Sequence, residues 1–286
     1  MSLSIRQHWI PRFYLRYFAT PNCRNSRVWV LHRKEGGPQL VNIEKIAVKK
    51  HLYSQLREAQ LADLEGDLSR LWPQLANDYV DLESRAIRQV ISLFLSTLFL
   101  RNPQTFALQR ESRRKMIDCI SRAPKDGNGL PDIESLMIGG DRISFDKHRW
   151  KSFVEAGPKD EHQSFVHMIR AEAVHIAEGL MKKRWSVVVM DEPLFVTSDN
   201  PFFQLHPNMK RHQILGKAAM LMFPLSPTRI LWLDDLDASR SQYHKVAADQ
   251  AGHYNGLTWV NTDNFMISPR SIEDVIREIC AARKVG

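Results

Sequence analysis

His8, Pro11, Arg12 and Arg16 open the chain in a pattern suited to proton and phosphate chemistry. An imidazole titrates near neutrality and can give or take a proton at physiological pH. Arg12 and Arg16 stand four residues apart, which on a helix puts both guanidinium groups on one face, ready for charge-assisted hydrogen bonds to phosphate oxygens. The same residues have a purely structural use, in which His8 hydrogen-bonds its own turn and the arginines are solvated.

A second candidate lies far along the chain, in Thr197-Ser198-Asp199-Asn200-Pro201. Asp199 at a strand end can act as a base or hold a divalent metal such as Mg²⁺, with Asn200 adding a carbonyl oxygen. The competing use is an Asx turn, in which both side chains accept backbone N–H bonds and the proline fixes φ. Arg101 is a third cation able to hold phosphate beside Arg12 and Arg16. Weaker candidates are the acidic group Asp234, Asp235 and Asp237, expected to be a solvated loop, and Glu65, expected to point outward from its helix. His167 and His175 lack a third ligand, so a metal site there is not expected.

These residues need a scaffold, and the hydrophobic periodicity supplies one. Residues 8–19 are expected to form a short helix, with Pro11 in its first turn and Tyr14, Leu15 and Phe18 on one face. Arg27–His32 and Gln39–Ile43 read as a hairpin across Gly36-Gly37-Pro38, while 47–53 is ambiguous. Leu61, Leu64, Leu68, Leu71 and Leu75 mark a long helix that Pro73 should bend or end. Ile87 through Leu98 marks a second helix, Pro103 opens a third, and Glu161–Lys183 is a fourth. Residues 122–145 hold the loop signals. Trp185–Met190, Leu194–Thr197, Ala219–Phe223 and Arg229–Leu233 read as strands, and Ser271 is the expected N-cap of a closing helix. The expected fold is α+β: a basic N-terminal segment (1–53), a helical middle (55–183) and a C-terminal sheet region (185–286), joined in one unit whose antiparallel or mixed sheet combines the N-terminal hairpin with C-terminal strands.

Composition narrows the function classes. The chain has 286 residues, 43% hydrophobic and 25% charged, enough to bury a full core. No apolar run is long enough for a membrane span, and three dispersed cysteines argue against a disulfide framework, so a cytoplasmic protein is expected. The formal charge is +8, and residues 1–50 carry ten basic against two acidic side chains, which accounts for all of it. A basic segment on a neutral body suggests an anionic partner such as nucleic acid or a nucleotide. The sequence has no G-x-x-x-x-G-K-[ST], G-x-G-x-x-G, G-x-S-x-G, H-E-x-x-H or C-x-x-C, which excludes the common phosphate-loop, dinucleotide, α/β-hydrolase, zincin and zinc-knuckle signatures.

The opening His8-Trp9-Ile10-Pro11-Arg12-Phe13-Tyr14-Leu15-Arg16-Tyr17-Phe18 resembles the His-x-x-Pro-x-x-x-Leu-x-x-Phe start of a bacterial domain-of-unknown-function family. Trp185 with Val187–Val189, the Ser198-Asp199-Asn200-Pro201 turn and Pro224-Leu225-Ser226-Pro227 are similar to its later motifs. Arg101-Asn102-Pro103 is similar to its Arg-Thr-Pro, with Asn for Thr, and Asn255 lies where members tend to have Asn. The resemblance implies a single α+β unit and no particular reaction. Two functions stay open on the residues: a hydrolase of phosphodiesters or nucleotides, nuclease-like and linked to defence or toxicity, with His8, Asp199 and Asn200 catalytic; or a binding module that docks its basic segment on nucleic acid or an acidic partner.

Overall fold

A computed structural model describes residues 6–20, 26–34, 36–50, 55–138, 141–157, 172–205, 214–216, 219–236 and 241–284. In chain order the elements are strand β1 (Arg6–His8), helix α1 (Arg12–Tyr17), strands β2 (Arg27–His32), β3 (Gln39–Asn42) and β4 (Val48–Lys50), then helices α2 (Gln55–Asn77), α3 (Arg85–Leu100) and α4 (Pro103–Ser121). A hairpin of β5 (Ser135–Ile138) and β6 (Asp141–Ser144) precedes α5 (Lys147–Glu155). A helix over the described residues 172–182 (α6) leads into β7 (Arg184–Val189), β8 (Thr197–Ser198), β9 (Phe203–Gln204), β10 (Leu221–Ser226), β11 (Arg229–Asp234) and β12 (Gln242–Lys245). Helix α7 (Ala251–Asn261), strand β13 (Phe265–Ser268) and helix α8 (Ile272–Ala282) close the chain.

The chain divides into two compact units. The first joins 1–102 to 171–286, and the second is 103–170. The second holds α4, the β5–β6 hairpin and α5. In it Asp146 caps α5, accepting from His148 and Arg149, and Arg113 donates to the Phe153 carbonyl at the helix's far end.

The first unit carries the β1–β4 pair and the two larger sheets, and the α+β architecture follows the sequence reading. The larger of these two has the order β12-β7-β11-β10-β9, antiparallel except where β12 runs beside β7. The other has the order β3-β2-β13-β8, so the N-terminal hairpin joins the last strand of the chain. Strand β7 is buried at five successive positions and β10 at six, so both are covered on both faces, and apart from Ser186 and Ser226 the buried residues are apolar. An aromatic cluster ties the helices to the first sheet. Phe223 stacks on Tyr14 at 5.2 Å and meets Trp72 and Phe94 at 6.0 and 6.2 Å. On the second sheet, Val196 and Met266 pack against Ile272, Val275 and Ile279 of α8. Gly252 permits the α7–α8 crossing, since a Cβ there would lie 2.3 Å from the Glu278 carbonyl oxygen.

Several expectations need correction. The first helix covers only Arg12–Tyr17; His8 ends a strand and Pro11 is the N-cap. The ambiguous stretch contains β4, which pairs with β1. Helix α2 continues past Pro73 to Asn77, held by its buried Trp72, Leu75 and Ala76. Its terminal carbonyls are capped from outside, because Arg229 donates to Ala76 and Asn77 and Ser226 donates to Ala76. The strand expected over 194–197 shrinks to Thr197–Ser198, because the Asn255 side chain takes the Val196 N–H and the Leu194 carbonyl. Of the helix expected over 161–183, residues 161–171 lie outside the described residues.

Candidate functional site

The family-like motifs, scattered from residue 8 to residue 255, fall in the first unit except for Pro103. Strand β1 pairs antiparallel with β4, His8 opposite Val48, and the Trp9 N–H donates to the Ala47 carbonyl. The Trp9 indole N–H then reaches the Asp199 carbonyl at 3.1 Å. On α1, the Tyr14 hydroxyl is fully buried. It shares a 2.7 Å hydrogen bond with Thr197 Oγ1 and donates to the Pro224 carbonyl at 2.8 Å. Burial raises its pKa far above the ordinary tyrosine value, so it stays a neutral donor. Trp72 adds a bond from its indole N–H to the Leu225 carbonyl.

Asp199 sits at the end of β8 with its side chain buried. One carboxylate oxygen accepts from the Asp263 N–H at 3.0 Å. The other accepts from the Asn264 N–H and the Asn264 side-chain amide, both at 2.8 Å. Burial and the neighbouring Asp263 carboxylate raise its pKa to about 6, against the lowering effect of those donors. Asn200 donates to the Asn261 carbonyl, and its own N–H bonds to Ser198 Oγ. Asn102, beside Arg101, donates to Asp263 at 3.1 Å and lies 3.4 Å from the Asp199 carbonyl and the Asn200 side-chain oxygen. The Asp199–Asn200 turn is thus a hydrogen-bonded knot joining β8, the end of α3 and the loop before β13. N–H groups directed at both Asp199 oxygens turn positive ends where a cation would sit, so the geometry suits an anchor better than a metal ligand.

His8 presents a different environment. Its side chain is half-buried, and Nε2 is shielded from solvent with no hydrogen-bond partner among the described residues. Its pKa is lowered, first by burial and further by the charges of Arg12 and Arg101; a hydrogen bond to the Ile43 backbone and the Glu65 carboxylate act the other way. The imidazole is therefore neutral at pH 7. Arg101 is 2% exposed and donates through Nη1 to Glu65 Oε1 at 2.7 Å, so Glu65, expected to face outward, instead faces a buried cation. Arg12 and Arg16 are exposed on α1, where they line a recess with Ser26, Asn42, Ile43 and Glu44. The structure pairs Arg101 with Glu65 and places both, with Arg12, within electrostatic reach of His8. It also joins Asp199 to Asn200, with the Asp199 carboxylate turned to the 263–264 loop.

The sequence reading missed Trp9, Asp263, Asn264 and Asn42. Asp263-Asn264 ahead of an apolar strand carries a turn signal, but nothing in the sequence links it to Asp199. The remaining candidates are structural or outside the described residues. Asp234 pairs with Arg184 and Asp235 with the buried Lys183, and Asp237 is not described. His175 is exposed on α6 and His167 is not described. Among the described residues, no group of three His, Cys, Asp or Glu side chains is placed to hold a metal ion, and no helix is long and apolar enough to cross a membrane.

A family model described as a protein of unknown function (DUF4238) matches residues 6–271. No curated protein and no solved structure matches the chain.

Proposed function

The chain belongs to the DUF4238 family, and we propose that it is a hydrolase of phosphodiester or nucleotide substrates whose acid–base group is His8. The observation that carries this reading is the shielded His8 Nε2, without a hydrogen-bond partner among the described residues, on an imidazole whose pKa burial lowers and on which the charges of Arg12, Glu65 and Arg101 act. A buried polar atom without a partner costs stability, and such atoms concentrate where a ligand or a transferred proton completes the bonding. In this scheme Nε2 takes a proton from water as that water attacks phosphorus. The P–O bond to the leaving alcohol breaks, and the imidazolium returns the proton to that oxygen. Burial, with a smaller contribution from Arg101, disfavours the charged form of His8, and Arg101, fixed by Glu65, supplies a stationary positive charge that favours the charge gained by the phosphoryl oxygens. Arg12 and Arg16 hold phosphate at the solvent edge. Asp199 and Asn200 position the turn and take no part in proton transfer.

The test is turnover of bis(p-nitrophenyl) phosphate, dinucleotides and single-stranded RNA and DNA, each with and without Mg²⁺. The expected result is turnover that His8→Gln lowers by roughly 100-fold or more while the thermal melt is unchanged. Because the charged form of His8 is disfavoured, the acidic limb of the rate profile should fall below the ordinary histidine value of about 6.5. No turnover of any substrate, or full activity in His8→Gln, overturns the reading. A non-catalytic nucleic-acid module is the second reading, supported by the exposed Arg12–Arg16 face. It calls for binding that weakens steeply with salt and is indifferent to His8→Gln.

A further inference from the structure

Arg12, Arg16, Ser26, Asn42, Ile43 and Glu44 enclose a polar recess of about 340 Å³. We infer that this recess binds a second, terminal phosphate, so that the preferred ligands are phosphate-ended oligonucleotides; the inference deepens the hydrolase reading and rests on it.

Four observations point to this. First, the recess adjoins His8, since Ile43 both lines it and hydrogen-bonds the imidazole, and Arg12 both lines it and acts on the His8 charge. The recess therefore lies next to the proposed reaction centre. Second, the donors are of the right kind. The two guanidinium groups share one face of α1, and the Asn42 side-chain oxygen is already engaged by the Glu44 N–H at 2.8 Å, which leaves its amide hydrogens to donate. Third, the recess is occupied electrostatically by its own carboxylate. Glu44 lies 3.6 Å from Arg12, with both side chains more than half exposed, an ion pair weak enough for an incoming phosphate to displace. Among the described residues no carboxylate pairs with Arg16, so one cation stands ready. Fourth, Ser26 holds φ at 45°, a left-handed conformation that non-glycine residues seldom adopt and that tends to persist at ligand sites. Its carbonyl accepts the Ile43 N–H at 3.1 Å, which couples the strained residue to the wall beside His8. The volume is at the low end for ligand pockets, enough for one phosphoryl group and its immediate substituent.

The test uses the full chain and two probes, the dinucleotide ApA and its 5′-phosphorylated form pApA, with binding read by calorimetry and turnover by chromatography. The expected result is that pApA binds about tenfold or more tightly than ApA. Arg16→Gln should remove most of that preference. Glu44→Gln should raise pApA affinity several-fold and leave ApA unchanged. Arg27→Gln, exposed on β2 and outside the recess, controls for general charge and should keep the preference. Equal affinities, no binding of either probe, or equal losses in Arg16→Gln and Arg27→Gln overturn the inference. The two readings separate cleanly: a phosphate preference without turnover sinks the hydrolase and leaves the recess standing, and turnover without preference does the reverse.

Discussion

At the end of β8, both Asp199 oxygens are taken by three N–H donors from Asp263 and Asn264, and the adjacent Asn200 is bonded to Asn261 and approached by Asn102. At the end of β1, His8 keeps one nitrogen shielded and, among the described residues, partner-free in the field of two arginines and a glutamate. Both are polar residues at strand ends, and both belong to the motifs that mark the family resemblance. What separates them is the supply of backbone donors. A turn that saturates a carboxylate converts it into an anchor, whereas a strand end that leaves an imidazole nitrogen unsatisfied keeps it available for chemistry. Residue type and motif membership therefore do not rank the two; the hydrogen-bond inventory does.

The largest effect should come from the saturated end. Asp199→Ala leaves three donors of the 263–264 turn without an acceptor, each costing ~1–3 kcal/mol, less whatever water can restore. A net loss of about 3–5 kcal/mol in urea denaturation is expected. A loss under about 1 kcal/mol would break the comparison, because it would mean the knot is dispensable and the carboxylate is kept for another purpose.

A second test uses protons. Asp199 titrates at about 6 in the fold against 3.8 for an ordinary aspartate, so between those pH values the folded state binds more protons than the unfolded chain. Its contribution is therefore fully present below about pH 4 and is lost as pH rises through about 6. The span amounts to roughly 3 kcal/mol at most. Asp199→Asn has no such titration, so the stability difference between wild type and variant should change in the wild type's favour as the pH falls from 7 to 4. A pH-independent difference would show that the three donors hold the carboxylate near its ordinary value.

Parts of this arrangement were legible in the sequence and parts were not. The strands over 184–189 and 229–234 declare themselves through their runs of apolar residues, whereas the strand expected over 219–223 in fact spans 221–226 and takes in Pro224, which reads as a turn residue. The hairpin of β2 and β3 declares itself through its glycine turn, in which Gly36 takes a φ of 65°. By contrast β4 is three residues long and has no periodicity of its own; it exists because β1 pairs with it. Pro73 is a helix breaker locally, yet the burial of Trp72 and Ala76 and the external caps from Arg229 and Ser226 override it. At the site, His8, Arg12 and Arg101 could be singled out by type. That Glu65 would face Arg101 rather than solvent depended on the packing of α2 against α3, which a leucine stripe alone does not orient. The partners of Asp199 lie 64 and 65 residues away, and such pairings are set by the order of strands in the sheet.

Tyr14 tests whether the two ends are mechanically linked. Its hydroxyl joins α1, which follows His8, to Thr197, which precedes Asp199, and to the Pro224 carbonyl. Tyr14→Phe keeps the ring stack on Phe223 and removes only those bonds, at a cost of about 1–2 kcal/mol. If α1 is held by this link, amide exchange should quicken in α1 and around Thr197 together. Exchange that quickens at Thr197 alone would uncouple the two ends.

The smallest stability effect should fall at His8. A glutamine there replaces the imidazole with a group that can still bond the Ile43 backbone, and it removes a nitrogen that has no partner to lose. The change in unfolding free energy should therefore stay within about 1 kcal/mol. Glutamine exchanges the unsatisfied Nε2 for an amide oxygen in a similar position, so one unpartnered acceptor replaces another and the difference should be small in either direction. Urea denaturation at pH 7.5, where the wild-type imidazole is neutral, gives the cleanest comparison. A loss as large as that of Asp199→Ala would place His8 among the anchors and erase the distinction between the two strand ends.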